Sequence, residues 1–444
     1  MQIQTACDII TLMRTWQAPK WFWLGFSGWL LSVVACVPMM QSTTATPRSS
    51  LAITSVPTFV AQTTVATSAA TRVPISTTAI TLTLWTVPDL APGTTPAGRI
   101  MQNQLDAFRA ANPNIHVNPV LKKPYDKGGV LDFLQTTSAV VPAQLPDLVV
   151  LDLAQVPLAA QAGLLQPLES ILPVELANEL FPFAQRAARY RDQWVAVPYV
   201  ADVEHLVYNT SVVKKPPLTW DHFLTQKEPM LLPLGGDDAF LAQYAALAPL
   251  NETPSFDWAS TTLTFTFFKR ARDAGLLSDA TIGLRTVDET WALFVARQAP
   301  MAQVSATRYL SERDQYPGIR FAPLPTRDGK IISVATGWAF AITTKEPARQ
   351  LAAARLIQWL VGTEQLVAWA RVAHRLPATR IALLLTIEPF DYAAFLREQM
   401  DNAVYLPRTP AYVKAAEAWR TALANLWKGQ TTPEEAARTV AAPK

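Results

Sequence analysis

The sequence predicts an α/β fold built on a parallel sheet, and three stretches of its first half carry that expectation. Ile80-Thr-Leu-Thr-Leu-Trp85 alternates apolar and polar residues, β-branched among them, with the period of two that a strand requires. From Ala97 to Ala111 apolar residues return at helical spacing (Ile100, Leu105, Phe108), and Asn112-Pro113 stops the run. Leu148-Val-Val-Leu151 is short and wholly apolar behind Pro146-Asp147, which suits a strand buried on both faces.

In chain order these elements read as a strand, a helix over 97–111 and a second strand, Ile115-His-Val-Asn-Pro-Val120. A helix from about Gly129 and the strand at Leu148 follow. Strands alternating with helices through short connections form a parallel sheet with crossover helices. Ligands of such sheets lie beyond the carboxyl ends of the strands, so Trp85 to Asp89 and Asp152 are expected at a rim. With 444 residues the chain exceeds one ordinary core and is long enough for two lobes.

Composition removes several function classes. Charged residues make up 16% and hydrophobic ones 50%, a balance that supports a globular body. The formal net charge is +3 with no basic run, which argues against nucleic acid as a partner. The two cysteines, Cys7 and Cys36, both precede the folded region, so neither a disulfide framework nor a cysteine metal site is expected in the body. Histidines at 116, 205, 222 and 374 are too dispersed to read as a zinc site. No Gly-x-Ser-x-Gly elbow, phosphate loop or His-Glu-x-x-His motif occurs, so neither a cofactor nor any of these catalytic arrangements is read from the sequence. A glycosidase needs only two suitably separated carboxylates, and motif absence leaves that alternative open.

The N-terminus reads as an address. Arg14 and Lys20 precede an apolar stretch from Trp21 to Ala35, the layout of a secretory signal and shorter than a comfortable bilayer span. It ends Val33-Val34-Ala35-Cys36, which resembles a bacterial lipobox and implies lipidation of Cys36 after cleavage of 1–35. An uncleaved anchor running on through Met40 is the other reading, and both hold the body outside the cytoplasm at a membrane. Residues 36–79 turn to Ser, Thr, Ala, Pro and Val and read as a tether.

Further motifs carry a family resemblance. Leu105-Asp-Ala-Phe-Arg-Ala-Ala-Asn-Pro113, Pro146-Asp-Leu-Val-Val-Leu-Asp152 and Ala162-Gly-Leu-Leu-Gln-Pro-Leu168 are followed in order by four more. These are Val197-Pro-Tyr-Val-Ala-Asp-Val-Glu-His-Leu-Val-Tyr-Asn209, Pro217-Leu-Thr-Trp-Asp-His-Phe223, Phe321-Ala-Pro-Leu-Pro325 and Thr336-Gly-Trp-Ala-Phe-Ala-Ile342. Together they resemble family 1 extracellular solute-binding proteins, the maltose-binding-protein-like group, from about Ile80 to Ala441. One departure stands out: where relatives commonly show Gly-Lys-x-Ala-Met, this chain has Arg297-Gln-Ala-Pro-Met301, which leaves the turn there in question.

The resemblance implies a two-lobed periplasmic-binding-protein type II fold, each lobe a mainly parallel sheet flanked by helices, with solute in the cleft between. Lobe 1 is expected at 80–200 plus 323–373 and lobe 2 at 203–320 plus 376–440, with crossings near Pro198 to Asp202, Ile319 to Pro325 and Val372 to Pro377. It also implies a monomer that delivers a small-molecule solute, with carbohydrate favoured, to the permease subunits of an ABC importer.

Sugar sites combine stacking aromatics with carboxylate and amide partners. Trp85 is then either a stacking residue or a core aromatic, and Asp152 either a solute acceptor or a helix N-cap. Asp202 falls where sugar-binding relatives carry a cleft carboxylate, with a hinge ion pair as its rival role. Tyr199 can stack on solute or pack under the hinge, and Trp338 is placed at the cleft floor. Trp258, Arg308 and Tyr309 are the second-lobe candidates, and Arg375 is open to solute or to a structural ion pair. A non-sugar solute such as a polyamine or polyol phosphate, or an envelope adhesion role, are the alternatives.

Overall fold

A computed structural model describes residues 79–236, 241–250, 256–406 and 408–441, so Cys36 and the segments expected to be signal and tether lie outside the described residues. Among the described residues twelve strands are formed. They are β1 (Ile80–Thr86), β2 (Ile115–Leu121), β3 (Leu148–Asp152), the short pair β4 (Arg189–Tyr190) and β5 (Gln193–Trp194), and β6 (Val197–Asn209). The second half adds β7 (Met230–Leu231), β8 (Met301–Ser305), β9 (Ile319–Ala322), β10 (Ser333–Ile342), β11 (Leu376–Pro377) and β12 (Ala403–Tyr405).

The main sheet runs β2-β1-β3-β10-β6-β8-β7, with β12 on β10 and both β9 and β11 on β6. The opening layer β2-β1-β3 is parallel, joined by the crossover helices Pro96–Ala111 and Val130–Val140. Thr95 caps the first of these by accepting the Gly98 N–H, and Pro96 occupies its first turn, where a missing N–H costs nothing. β10 then returns antiparallel between β3 and β6.

β6 is the strand that crosses. Val197 to Val203 pairs with β10, whereas Glu204 to Tyr208 pairs with β8 and Leu206 to Asn209 with β9. β11 also joins β6, opposite Ala201 and Val200. Of the segments expected to cross, Ile319–Ala322 and Leu376–Pro377 thus both pair with this strand.

Among the described residues, buried apolar side chains gather mainly in two clusters, beside a minor group around Ala245, Ala246 and Ile332. The larger holds Leu84, Phe108, Leu151, Phe340, Leu356 and Trp369, and the smaller holds Phe223, Phe265, Leu324, Trp419 and Leu423. The stretch 376–440, read from sequence as one lobe, divides between them. Leu383, Tyr392 and Leu396 bury in the larger cluster, and only beyond β12 do Tyr412, Trp419 and Ala437 enter the smaller one. Pairing of β12 with Ser333 to Ala335 of β10 is what carries the chain across at that late point.

The Arg297 departure is resolved by backbone conformation. Arg297 itself adopts φ 61°, the left-handed region that glycine enters freely, so the turn into β8 is kept with strain on a side-chain-bearing residue. Among the described residues no helix is long and apolar enough to cross a membrane.

Candidate functional site

Strand register assembles the site. Trp338 of β10 lies directly opposite Asp152 of β3, and Thr336, two residues earlier, lies opposite Asp202 of β6. Directly opposed residues share a face, as do residues two apart, so Asp152, Trp338, Thr336, Asp202 and Glu204 are brought to one side of three neighbouring strands. Gly337 makes this close pairing possible, because a Cβ there would sit 2.2 Å from the Val200 carbonyl oxygen.

Over this face lie three adjoining cavities, all lined by Thr336. A central one of about 250 Å³ is lined by Asp89, Tyr125, Asp152, Asp202, Trp338 and Arg375. A larger one of about 480 Å³ extends past Asp202 to Glu204, Asp288, Ser305, Thr307 and Arg308. The third, about 130 Å³, extends past Tyr125 and Asp152 to Leu406 and Arg408. Together they form a trough across the crossing strands.

The polar groups along it are held in place. Asp152 accepts the Ala154 N–H at 2.7 Å as the cap of a short 3-10 turn, while its other oxygen accepts the Tyr125 hydroxyl at 2.6 Å. Burial and the Asp152 carboxylate push the Tyr125 hydroxyl above the usual phenol range, so it remains a donor. The Tyr125 ring lies 5.7 Å from that of Trp338 and is exposed, giving an apolar surface beside a carboxylate. Arg375 pairs with Asp89 at 2.6 Å. Arg308 is held by Asp288 at 2.9 Å and Glu312 at 2.7 Å, and these carboxylates raise its already high pKa. Asp202 accepts the Thr307 N–H at 3.1 Å, yet burial dominates and raises its pKa above the usual carboxylate range.

Of the nine residues expected from sequence to line a site, Asp152, Asp202, Trp338, Arg375 and Arg308 lie on the trough. Asp152 is at the same time a cap and Arg375 at the same time an ion-pair partner, so alternatives weighed separately coexist. Four residues lie elsewhere. Trp85 is buried with its edge against Phe133 and pairs with Val149, three residues before Asp152 and therefore on the opposite face. Tyr199 is skipped where the β6–β10 register shifts and is buried against Phe340 and Trp369 at 5.2 and 5.3 Å. Tyr309 follows Arg308 in a helix but turns inward onto His205 and Tyr392. Trp258 begins the helix Trp258–Asp273 on an exposed surface and lines none of these cavities.

Sequence reading missed Asp89, Tyr125, Glu204, Asp288, Thr336 and Arg408 as lining residues. Glu204 was discoverable, since it stands two residues beyond Asp202 on one strand. Asp89 lay within the stretch that the sheet-end rule marks. Nothing in the sequence around Tyr125 announces its role, because a loop carries it to the site.

A trough floored by β3, β10 and β6, with Asp152 and Trp338 at one end and Asp288 and Arg308 at the other, suits the two-lobed type II fold. Solved structures support the architecture. The cyclic α-maltosyl-1,6-maltose binding protein from Arthrobacter globiformis shares 18% identity at TM-score 0.69, with 82% of this chain and 97% of that one covered. The sugar-binding protein MalE from Xanthomonas citri shares 16% at TM-score 0.68, covering 81% and 95%. Residues 103–391 match the model of a family described as bacterial extracellular solute-binding protein, and the chain belongs to that family. It is accordingly an extracytoplasmic binding protein rather than an enzyme. Among characterised sequences, a maltotriose-binding protein from Pyrococcus abyssi is 27% identical over 124 residues, which is 28% of this chain and 26% of that relative.

Proposed function

We propose that the protein captures a saccharide in the trough and delivers it to the permease subunits of an ABC importer. The observation that carries this reading is the Tyr125–Trp338 ring pair flanked by the carboxylates of Asp152 and Asp202. Sugars offer apolar CH faces ringed by hydroxyls, and this pairing of aromatic surface with acceptors complements both. The names of the similar proteins, a maltotriose-binding, a cyclic maltosyl-maltose-binding and a sugar-binding protein, support the same choice. In this reading the lobes are those expected from sequence, with Tyr392 and Phe395 packing on His205, Tyr309 and Phe321 of the second. Solute bridges them and stabilises the closed form by contacts made to both. Cys36 is proposed as the lipid-bearing residue that holds the protein at the membrane.

Calorimetry with maltotriose and other neutral oligosaccharides tests the capture. Saturable binding is expected, weakened about tenfold or more in Trp338→Ala or Tyr125→Ala, and a cooperatively folded protein that binds no saccharide would sink the reading. Cys36→Ser is expected to move the protein from the membrane fraction to the soluble one.

A further inference from the structure

We propose that the solute carries a positive charge where it meets Asp202, making it an amine-bearing saccharide. This rests on the saccharide reading above and narrows it. The largest cavity, about 480 Å³, is lined by three carboxylates, Asp202, Glu204 and Asp288, and by two guanidiniums, Arg308 and Arg375. Arg308 is matched by Asp288 and by Glu312, and Arg375 bonds to Asp89, so its one charge is shared between that carboxylate and Asp202 across the cavity. Asp202 is left with neutral hydrogen-bond partners, the N–H groups of Val203 and Thr307 at 2.9 and 3.1 Å, with the hydroxyl-bearing side chains of Ser305 and Thr307 beside it. Glu204 stands on the same strand face two residues on and accepts from the Gln303 amide.

Closure of two lobes over this cavity would strip water from a wall whose net charge is negative. A carboxylate that shares its only nearby guanidinium is costly in a drying site, and a solute-borne ammonium removes more of that cost than a neutral hydroxyl does. A phosphorylated solute would meet the same wall at a disadvantage. Asp202 borders both the central and the largest cavity, so an ammonium at this point leaves the Tyr125–Trp338 surface free for a ring.

The test is calorimetry on the full chain in detergent, with glucosamine trimer, maltotriose and spermidine as probes at matched pH and salt. Glucosamine trimer is expected to bind at least tenfold tighter than maltotriose, and to weaken more steeply as salt rises. Asp202→Asn is expected to bring the two trisaccharides within about threefold of each other, with Glu204→Gln moving the same way by less. The thermal transition of each variant reports that it is folded. Maltotriose binding as tightly as glucosamine trimer overturns this proposal and leaves the saccharide reading standing. Spermidine binding as tightly as glucosamine trimer overturns it in favour of a simple polyamine. Failure of both saccharides overturns the reading on which it rests.

Discussion

Asp202 and His205 stand three residues apart on β6, and the strand gives them opposite surroundings. Asp202 faces the trough, where hydroxyls and N–H groups surround a carboxylate. His205 faces the interior, fully buried among the rings of Tyr309, Tyr392 and Phe395. Its Nδ1 lies 3.0 Å from the Leu206 carbonyl, which can only accept, so Nδ1 carries the proton and Nε2 accepts the Tyr392 hydroxyl at 2.8 Å. Burial holds both residues towards their neutral forms, which raises the pKa of the acid and lowers that of the base to about 4. One strand thus places one titratable group on the trough and another in the interior, and the same desolvation acts on them with opposite sign.

The sharpest way to break the comparison is to part the strands that create it. Gly337→Val would force a side chain against the Val200 carbonyl, and is expected to cost about 3 kcal/mol in denaturant unfolding together with saccharide binding. A result near zero would mean that β10 and β6 are less closely coupled than their register indicates.

Acid separates the two faces next. The folded pKa of His205 lies below its unfolded value of 6.5, so its contribution is complete above that pH and is lost as pH falls towards about 4, by up to about 3 kcal/mol. The double variant His205→Phe, Tyr392→Phe should flatten unfolding midpoints measured between those limits. Asp202 acts in the other sense. Its raised folded pKa makes its contribution present in acid and lost as pH rises, so Asp202→Asn should stabilise the protein at neutral pH and progressively less in acid. Identical slopes for wild type and both variants would dissolve the distinction.

Arg375→Gln removes the bond to Asp89 between half-exposed groups and is expected to cost less than about 1 kcal/mol in stability. A weakening of saccharide binding by more than that energy would assign Arg375 to solute rather than to structure. The smallest effect is expected at the turn before β8, where Arg297→Gly should gain roughly 0.5 kcal/mol in unfolding free energy by relieving a left-handed conformation.

How far the site could be read from sequence follows the same geometry. Asp202 and Trp338 were found because recognisable motifs bracket them, and Glu204 was missed although a period of two from Asp202 points to it. Tyr199 was left open between stacking and packing under the hinge, although its three-residue offset from Asp202 already turns it to the other face of the strand. Trp85 was left open between solute and core. The sheet-end rule locates a rim, whereas the face on which a side chain emerges depends on the register with β3.

The sequence by itself determined the α/β class, the chain order of the first three strands and their helices, and the negative and aromatic residue types available to a site. These depend on periodicity and on local stop signals, which neighbouring residues carry. Only the tertiary structure decided that Tyr125 reaches Asp152 and Trp338, that Asp89 pairs with Arg375, and that 376–440 divides between two clusters. Those facts are contacts between residues from 27 to 286 positions apart, set by strand pairing and burial of the whole chain, and no local pattern encodes them.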